Sequence, residues 1–312
     1  MTDTPVALII FRRPDVTRRV VDAIRQAGVR RLFVIADGPR GDKPTDVKLV
    51  QETRELLSSL DWECDVTRIY SEVNLGLRER VLTGLDEVFN QVDRAIVLED
   101  DCLPHQDFFR FATELLDRYE KSTDVGVISA NNFAPNPEMR DSYYFSTHAN
   151  IWGWATWKHT WREFRQSPSP LPLGVDDKRK LKSRLPGLFR SRGFIKLADH
   201  AAQLDSWAIQ FAVMCQLKGW LCTVPKVNLA KNIGFGKEST HTKFESFADE
   251  IDTQPLGFPL NHPTGITPNY REMKRESLVK ALRWVIFPIS HPIDFFSRLF
   301  RAVDLFLIQP SR

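Results

Sequence analysis

Glu99, Asp100 and Asp101 stand in a row directly after the apolar run Ala-Ile-Val-Leu at 95–98. Three adjacent carboxylates repel one another unless solvent, hydrogen-bond donors or a cation compensates them. A hard divalent cation, which takes oxygen ligands, is the natural partner. The competing reading is an acidic turn that, with Asp107, complements the N-terminal dipole of the next helix. The run before the cluster has the unbroken character of a parallel strand buried on both faces. Open α/β sheets bind their ligands outside the carboxyl ends of such strands, so the cluster is expected at a ligand-binding edge.

The elements that must position it alternate in type. Residues 6–11, 31–36 and 64–70 read as three strands, the acidic strand is the fourth, and 125–129 is a fifth. Val16, Val20, Ala23 and Ile24 form the apolar face of a first helix, and a second is expected over about 47–60. Val81, Leu82, Leu85, Val88 and Phe89 line a third, and Phe108, Phe111, Ala112, Leu115 and Tyr119 a fourth. This alternation implies an α/β fold: a mainly parallel, Rossmann-like central sheet flanked by helices, with right-handed crossovers.

Beyond Ala130 the alternation ends. Trp152, Trp154, Trp157 and Trp161 place half of the chain's eight tryptophans in one short segment. Residues 167–192 are Pro-rich and basic and are expected to form an exposed, mobile insertion. A helix is expected over about 204–218, a late strand at 220–224 and a loop over 226–242. The tail, 272–309, reads as two short amphipathic helices broken at Pro288 and Pro292. Leu278, Leu282, Val285 and Ile286 line the first, with Lys274, Arg275, Lys280 and Arg283 alongside. Such stripes suit a helix lying in the headgroup region of an anionic membrane, or one docked on the protein's own body or a second subunit.

At 312 residues the chain has the length of one large domain or a domain with an extension. A net charge of +3 is too mild to make nucleic acid the expected partner. The four cysteines are dispersed without a Cys-x-x-Cys pair, which excludes a zinc module and a disulfide scaffold. No basic signal region opens the chain and no apolar run reaches the roughly 18 residues of a spanning helix. The expectation is a cytoplasmic protein, peripheral at the inner face of the membrane if the tail binds lipid.

The motifs Phe11-Arg-Arg-Pro14, Ala36-Asp-Gly-Pro39, Asn74-Leu-Gly-Leu-Arg78, Glu99-Asp-Asp101, Trp152-Gly-Trp154 and Asp205-Ser-Trp207 occur in that order. In these the chain resembles the GT-A nucleotide-sugar glycosyltransferases, most closely N-acetylglucosaminyltransferase I and its bacterial relatives. The resemblance implies a nucleotide-sugar-binding half at 1–130, an acceptor-binding half of the same domain at 131–271, and a helical tail at 272–312. It implies inverting, metal-dependent transfer from a nucleoside-diphosphate sugar, UDP-linked and with UDP-GlcNAc among the candidates. The acceptor is then a glycan, a lipid-linked sugar or another cell-envelope component.

The resemblance also distributes roles. Asp101 is the direct ligand of Mn2+ or Mg2+, Asp100 meets the ribose or assists the metal, and Glu99 contacts the nucleotide sugar. Asp37 accepts from the base, Arg13 lies against the nucleotide and Arg78 contacts the diphosphate. Asp205 is the base that takes the acceptor hydroxyl's proton, with the Asp199-His200 pair as its rival. Direct displacement then converts an α-linked donor into a β-linked product. Trp152 and Trp154 stack on sugar faces, core packing being the alternative for Trp157 and Trp161. His241 reaches the metal or diphosphate as a lid residue, or is a surface histidine. Two other functions share such a sheet. A sugar-nucleotide nucleotidyltransferase needs a Gly-rich first loop, which Phe11-Arg-Arg-Pro14 lacks. A non-catalytic membrane-peripheral binding protein needs neither metal nor base.

Overall fold

The apolar runs become the middle of an eight-stranded sheet. In the computed structural model of the protein, residues 3–184, 188–201, 206–234 and 251–290 are described. Strands β1 (Val6–Ile10), β2 (Arg31–Ala36), β3 (Asp65–Tyr70) and β4 (Arg94–Glu99) are all parallel, in the order β3-β2-β1-β4. Helices α1 (Pro14–Gln26), α2 (Pro44–Glu55) and α3 (Leu77–Gln91) connect them. The first strand stops one residue before Phe11, and the second helix lies earlier than the expected 47–60 because Pro44 supplies its N-terminal turn.

After β4 come β5 (Cys102–Pro104), α4 (Gln106–Arg118), β6 (Val125–Ser129), β7 (Tyr143–Ser146) and β8 (Trp154–Trp157). Helices α5 (Lys158–Gln166), α6 (Val175–Arg184), α7 (Leu188–Ala201) and α8 (Trp207–Lys218) follow. Strands β9 (Leu221–Pro225) and β10 (Ala230–Asn232) and helix α9 (Tyr270–Ser290) end the described chain. The full order is β3-β2-β1-β4-β8-β6-β9-β7, with β8 and β7 antiparallel to their neighbours, and β10 pairs separately with β5.

Alternate residues of the central strands feed two cores, as a sheet covered on both faces requires. Val6, Leu8, Ile10, Val34, Ile96 and Leu98 face the core that α1 and α4 share. Ala7, Ile9, Phe33, Ile35, Ala95 and Val97 face the one built with α3, α5 and α8.

Three expectations change. The Trp-rich segment is not an acceptor loop throughout: residues 154–157 form β8, inserted between β4 and β6. Gly153, at φ +71°, makes the bend into that strand, with Leu98, Ala130 and Ala230 packed where a side chain would stand. The basic 167–192 segment contains α6 and the start of α7. Leu173, Leu181, Ile195 and Ala198 pack with Val213 and Leu217 of α8 into a third small core, and Arg184 Nη1 donates to the carbonyls of Gln216 and Leu217. Its charges mask a sparse apolar face. The tail helix does not break at Pro288; α9 runs on to Ser290, two residues beyond it. The second tail helix, past Pro292, lies outside the described residues.

Candidate active site

Parallel alignment of β1, β2 and β4 brings three turns to one sheet edge. Ile9 pairs with Glu99 and Ile10 with Ala36, so the turns after Ile10, Ala36 and Glu99 leave the sheet side by side. The first turn delivers Arg13, which Pro14 follows as the opening residue of α1. Arg13 Nη1 donates to Asp101 Oδ2 at 3.0 Å, and its Nη2 donates to Asp100 Oδ1. The Phe11 backbone N–H donates to the other Asp100 oxygen at 3.2 Å. Arg13, far away in the sequence, thus joins Glu99, Asp100 and Asp101 in one cluster.

The electrostatics follow from one guanidinium facing three carboxylates. Burial, with repulsion from Asp101 and Asp100, pushes the Glu99 carboxyl up to about 8. Asp100 is also raised, by burial above all, although Arg13 opposes the shift. Burial works against the charge on Arg13, but Asp100 and Asp101 together outweigh it and hold the guanidinium more firmly protonated than usual. The surplus of negative charge and the hard oxygen donors fit a divalent cation. Among the described residues no three side chains of metal-ligating type converge. One or two protein carboxylates are enough where phosphates and water complete a divalent cation's coordination.

The turn after the cluster is held from the other side. The Ile233 N–H donates to the Asp101 carbonyl at 2.8 Å, and β10 pairs with β5. A β-carbon at Gly234 would collide with the Asp101 carboxylate and with Arg13 Nη1. Only glycine lets the backbone pass so close. The sequence reading grouped this residue with a lid loop and missed its contact, since the chain separation from Arg13 leaves no local signal.

Asp37 is buried, but its place differs from the expected one. Its Oδ1 accepts from the N–H groups of Gly38 and Leu75, both at 2.9 Å, and its Oδ2 from Asn74 Nδ2 and the Gly76 N–H, both at 3.0 Å. All four lone-pair positions of the carboxylate are engaged, so none is left for a nucleobase. Burial raises its pKa against the opposing pull of these donors and of Arg80. Asp37 fastens the start of α3 to the end of β2. Arg78 lies exposed on the first turn of that helix.

The two tryptophans assigned to sugar stacking part company. Trp154 is 1% exposed, stacked on Trp207 at 5.8 Å and packed on Phe211 at 5.1 Å, so its ring belongs to the core and offers no face to a sugar. The cause is strand alternation: its side chain points into the sheet's packed face. Trp152, two residues earlier, is half-buried at the same sheet edge as the carboxylates, edge-on to Phe133 at 5.2 Å. Its backbone N–H donates to Asn131 Oδ1 at 3.2 Å. Asn131, which the sequence reading did not single out, is buried with its Nδ2 unpartnered; a lone Asn after a strand carries no sequence signal.

Asp205 and His241 lie outside the described residues. Ser206, next to Asp205, is the N-cap of α8 and accepts from the Ile209 N–H at 3.5 Å. Trp207 then anchors that end of α8 on Trp154, whose backbone pairs with Val97 two residues before Glu99. The rival pair Asp199-His200 is on α7, where Asp199 meets Lys178 at 2.9 Å.

No protein-family model matches this chain, and no curated protein sequence matches it. Among solved structures it is similar to a mannosyltransferase, PcManGT from Pyrobaculum calidifontis, in complex with GDP-Man and Mn2+. That likeness has a TM-score of 0.34 and 14% identity over 70% of this chain and 71% of the other. HddC from Yersinia pseudotuberculosis is similar at a TM-score of 0.31 and 12% identity, over 51% and 78%. A UDP-glucose pyrophosphorylase complexed with UDP-glucose is similar at 0.28 and 13%, over 47% of this chain and 63% of that one, which is less than two thirds of its length. These likenesses are too distant to carry a role from those proteins onto a residue of this chain.

Proposed function

We propose that this chain is an inverting, metal-dependent glycosyltransferase. It moves a sugar from a nucleoside-diphosphate sugar, UDP-linked in the first instance and UDP-GlcNAc among the candidates, to a glycan or lipid-linked acceptor of the cell envelope. The observation that carries this reading is the carboxylate cluster at the end of β4, met by Arg13 from the β1 turn, with Trp152 at the same sheet edge. An open α/β sheet binds its ligand at such an edge.

Asp101, with Asp100 beside it, would hold Mn2+ or Mg2+, which when bound neutralises charge developing on the leaving diphosphate. Arg13 moderates the repulsion between the carboxylates and lies where a nucleotide enters. Glu99 and Arg78 are assigned contacts to the sugar and the diphosphate, and Trp152 a stacking face for the acceptor. Asp37 is assigned positioning of the 74–76 turn instead of base recognition. Asp205, next to the cap of α8, is the base that takes the acceptor's proton, and His241 closes over the diphosphate.

Calorimetric titration with UDP and GDP, with and without Mn2+, tests the reading. The expected result is binding of one nucleotide that requires the metal and is lost in Asp101→Asn. Metal-independent binding that survives in Asp101→Asn would sink it.

A further inference from the structure

Over residues 270–282, helix α9 is turned the wrong way round for a helix packed on a protein. Glu272 and Glu276, 6% and 4% exposed, face the body with Met273, whereas Leu278 and Leu282 are each 60% exposed. The inward carboxylates are provided for. Glu272 accepts from Asn136 Nδ2 at 3.0 Å; Glu276 accepts from the Tyr144 hydroxyl at 3.4 Å and from Lys280 Nζ at 2.5 Å. A single exposed leucine is ordinary, but carboxylates inside and leucines outside reverse the usual amphipathic pattern.

The two leucines are four residues apart, and the exposed Arg271 and Lys274 precede them at helical spacing. All four therefore lie along one stripe. Over residues 270–312 the sequence carries eight Lys and Arg against four Asp and Glu. An apolar centre with a basic margin is complementary to a surface that is apolar below and anionic above. No helix of the described residues is long and apolar enough to cross a membrane. We infer that the Arg271, Lys274, Leu278 and Leu282 face of α9 docks on an anionic lipid surface, the leucines entering the headgroup boundary and the two cations meeting lipid phosphates.

The other side of α9 is tied to the segment beside the candidate site. Arg275 donates to the carbonyls of Ala134 and Pro135, and Lys280 Nζ lies 4.2 Å from the centroid of Phe133, against whose ring Trp152 packs. The segment so clamped follows β6, which ends at the same sheet edge as β4. On the glycosyltransferase reading, on which this last step rests, the acceptor is a sugar borne on a lipid.

Flotation of the full chain with vesicles tests the docking without any turnover. The chain is expected to float with phosphatidylcholine vesicles that contain phosphatidylglycerol, less so as salt rises, and not with phosphatidylcholine alone. Leu278→Glu/Leu282→Glu is expected to weaken binding about thirtyfold or more, and Arg271→Glu/Lys274→Glu by at least as much. Circular dichroism checks folding, and Leu278→Ala/Leu282→Ala gives a milder version of the same loss if the charged variant is unfolded. Equal flotation of wild type and variants, or equal binding to neutral vesicles, overturns the inference. So does a dimer, seen by light scattering, that Leu278→Glu/Leu282→Glu converts to monomer without any vesicle binding. Failure of flotation leaves nucleotide calorimetry untouched, and failure of calorimetry leaves flotation untouched.

Discussion

Buried carboxylates do three different jobs in this chain, and their partners decide which. Asp100 meets a guanidinium beside two further acids, so it belongs to a cluster with charge to spare. Asp37 meets four donors of its own neighbourhood and is spent on holding a turn. Asp46, fully buried on the first turn of α2, is gripped by Arg40 through Nε and Nη2, with Arg12 Nε at 3.6 Å. The Arg40 hydrogen bond outweighs burial and holds Asp46 below its ordinary value of 3.8. A carboxylate lowered on folding contributes stability that is complete above its unfolded pKa and is lost as pH falls through the folded one. Asp46→Asn is therefore expected to cost about 2 kcal/mol at neutral pH, with the difference from wild type shrinking below pH of about 4. Urea unfolding followed across that range measures it. Asp37 and Asp46 look alike in the sequence, each acidic near Gly or Pro, because the donors that distinguish them come from other turns.

At the scale of elements, β8 and the β10–β5 pair were the least legible parts. Four residues of Trp-Ala-Thr-Trp do not establish a period, and the pairing of β8 with β4 joins positions about sixty apart. The consequence is a sharp contrast between neighbours. Trp154→Ala is expected to destabilise by about 4 kcal/mol, through the cavity it leaves between Trp207 and Phe211. Trp152→Ala is expected to cost about 1 kcal/mol or less, to leave nucleotide binding unchanged and to raise the KM for acceptor. Thermal unfolding and steady-state kinetics on the pair separate the two. A second element-level test is Gly234→Ala. Its methyl group would push β10 away from Asp101 and Arg13, so metal-dependent nucleotide affinity is expected to fall about tenfold or more while the unfolding transition moves little. The same titration used for Asp101→Asn reads it out.

Across the whole molecule, two large cores sandwich the sheet, a smaller one supports α6 and α7 against α8, and α9 clamps the site edge while turning its leucines outward. The order of strands and helices through β6 apart from the short β5, the burial of each central strand on both faces and the arrival of three carboxylates at a strand end could all be read from the sequence by itself. Those features depend on side-chain periodicity and on charge following an apolar run, and both are local. Only the tertiary structure decided that Arg13 is the cation among those acids, that Asp37 has no lone pair to spare, that Trp154 is inside while Trp152 stays at the edge, and that the basic insertion packs. It also decided which face of α9 meets the protein. An amphipathic pattern says that a helix has two faces, but which one is buried depends on what distant residues such as Tyr144 and Asn136 offer it, and for α9 they offered partners to its carboxylates.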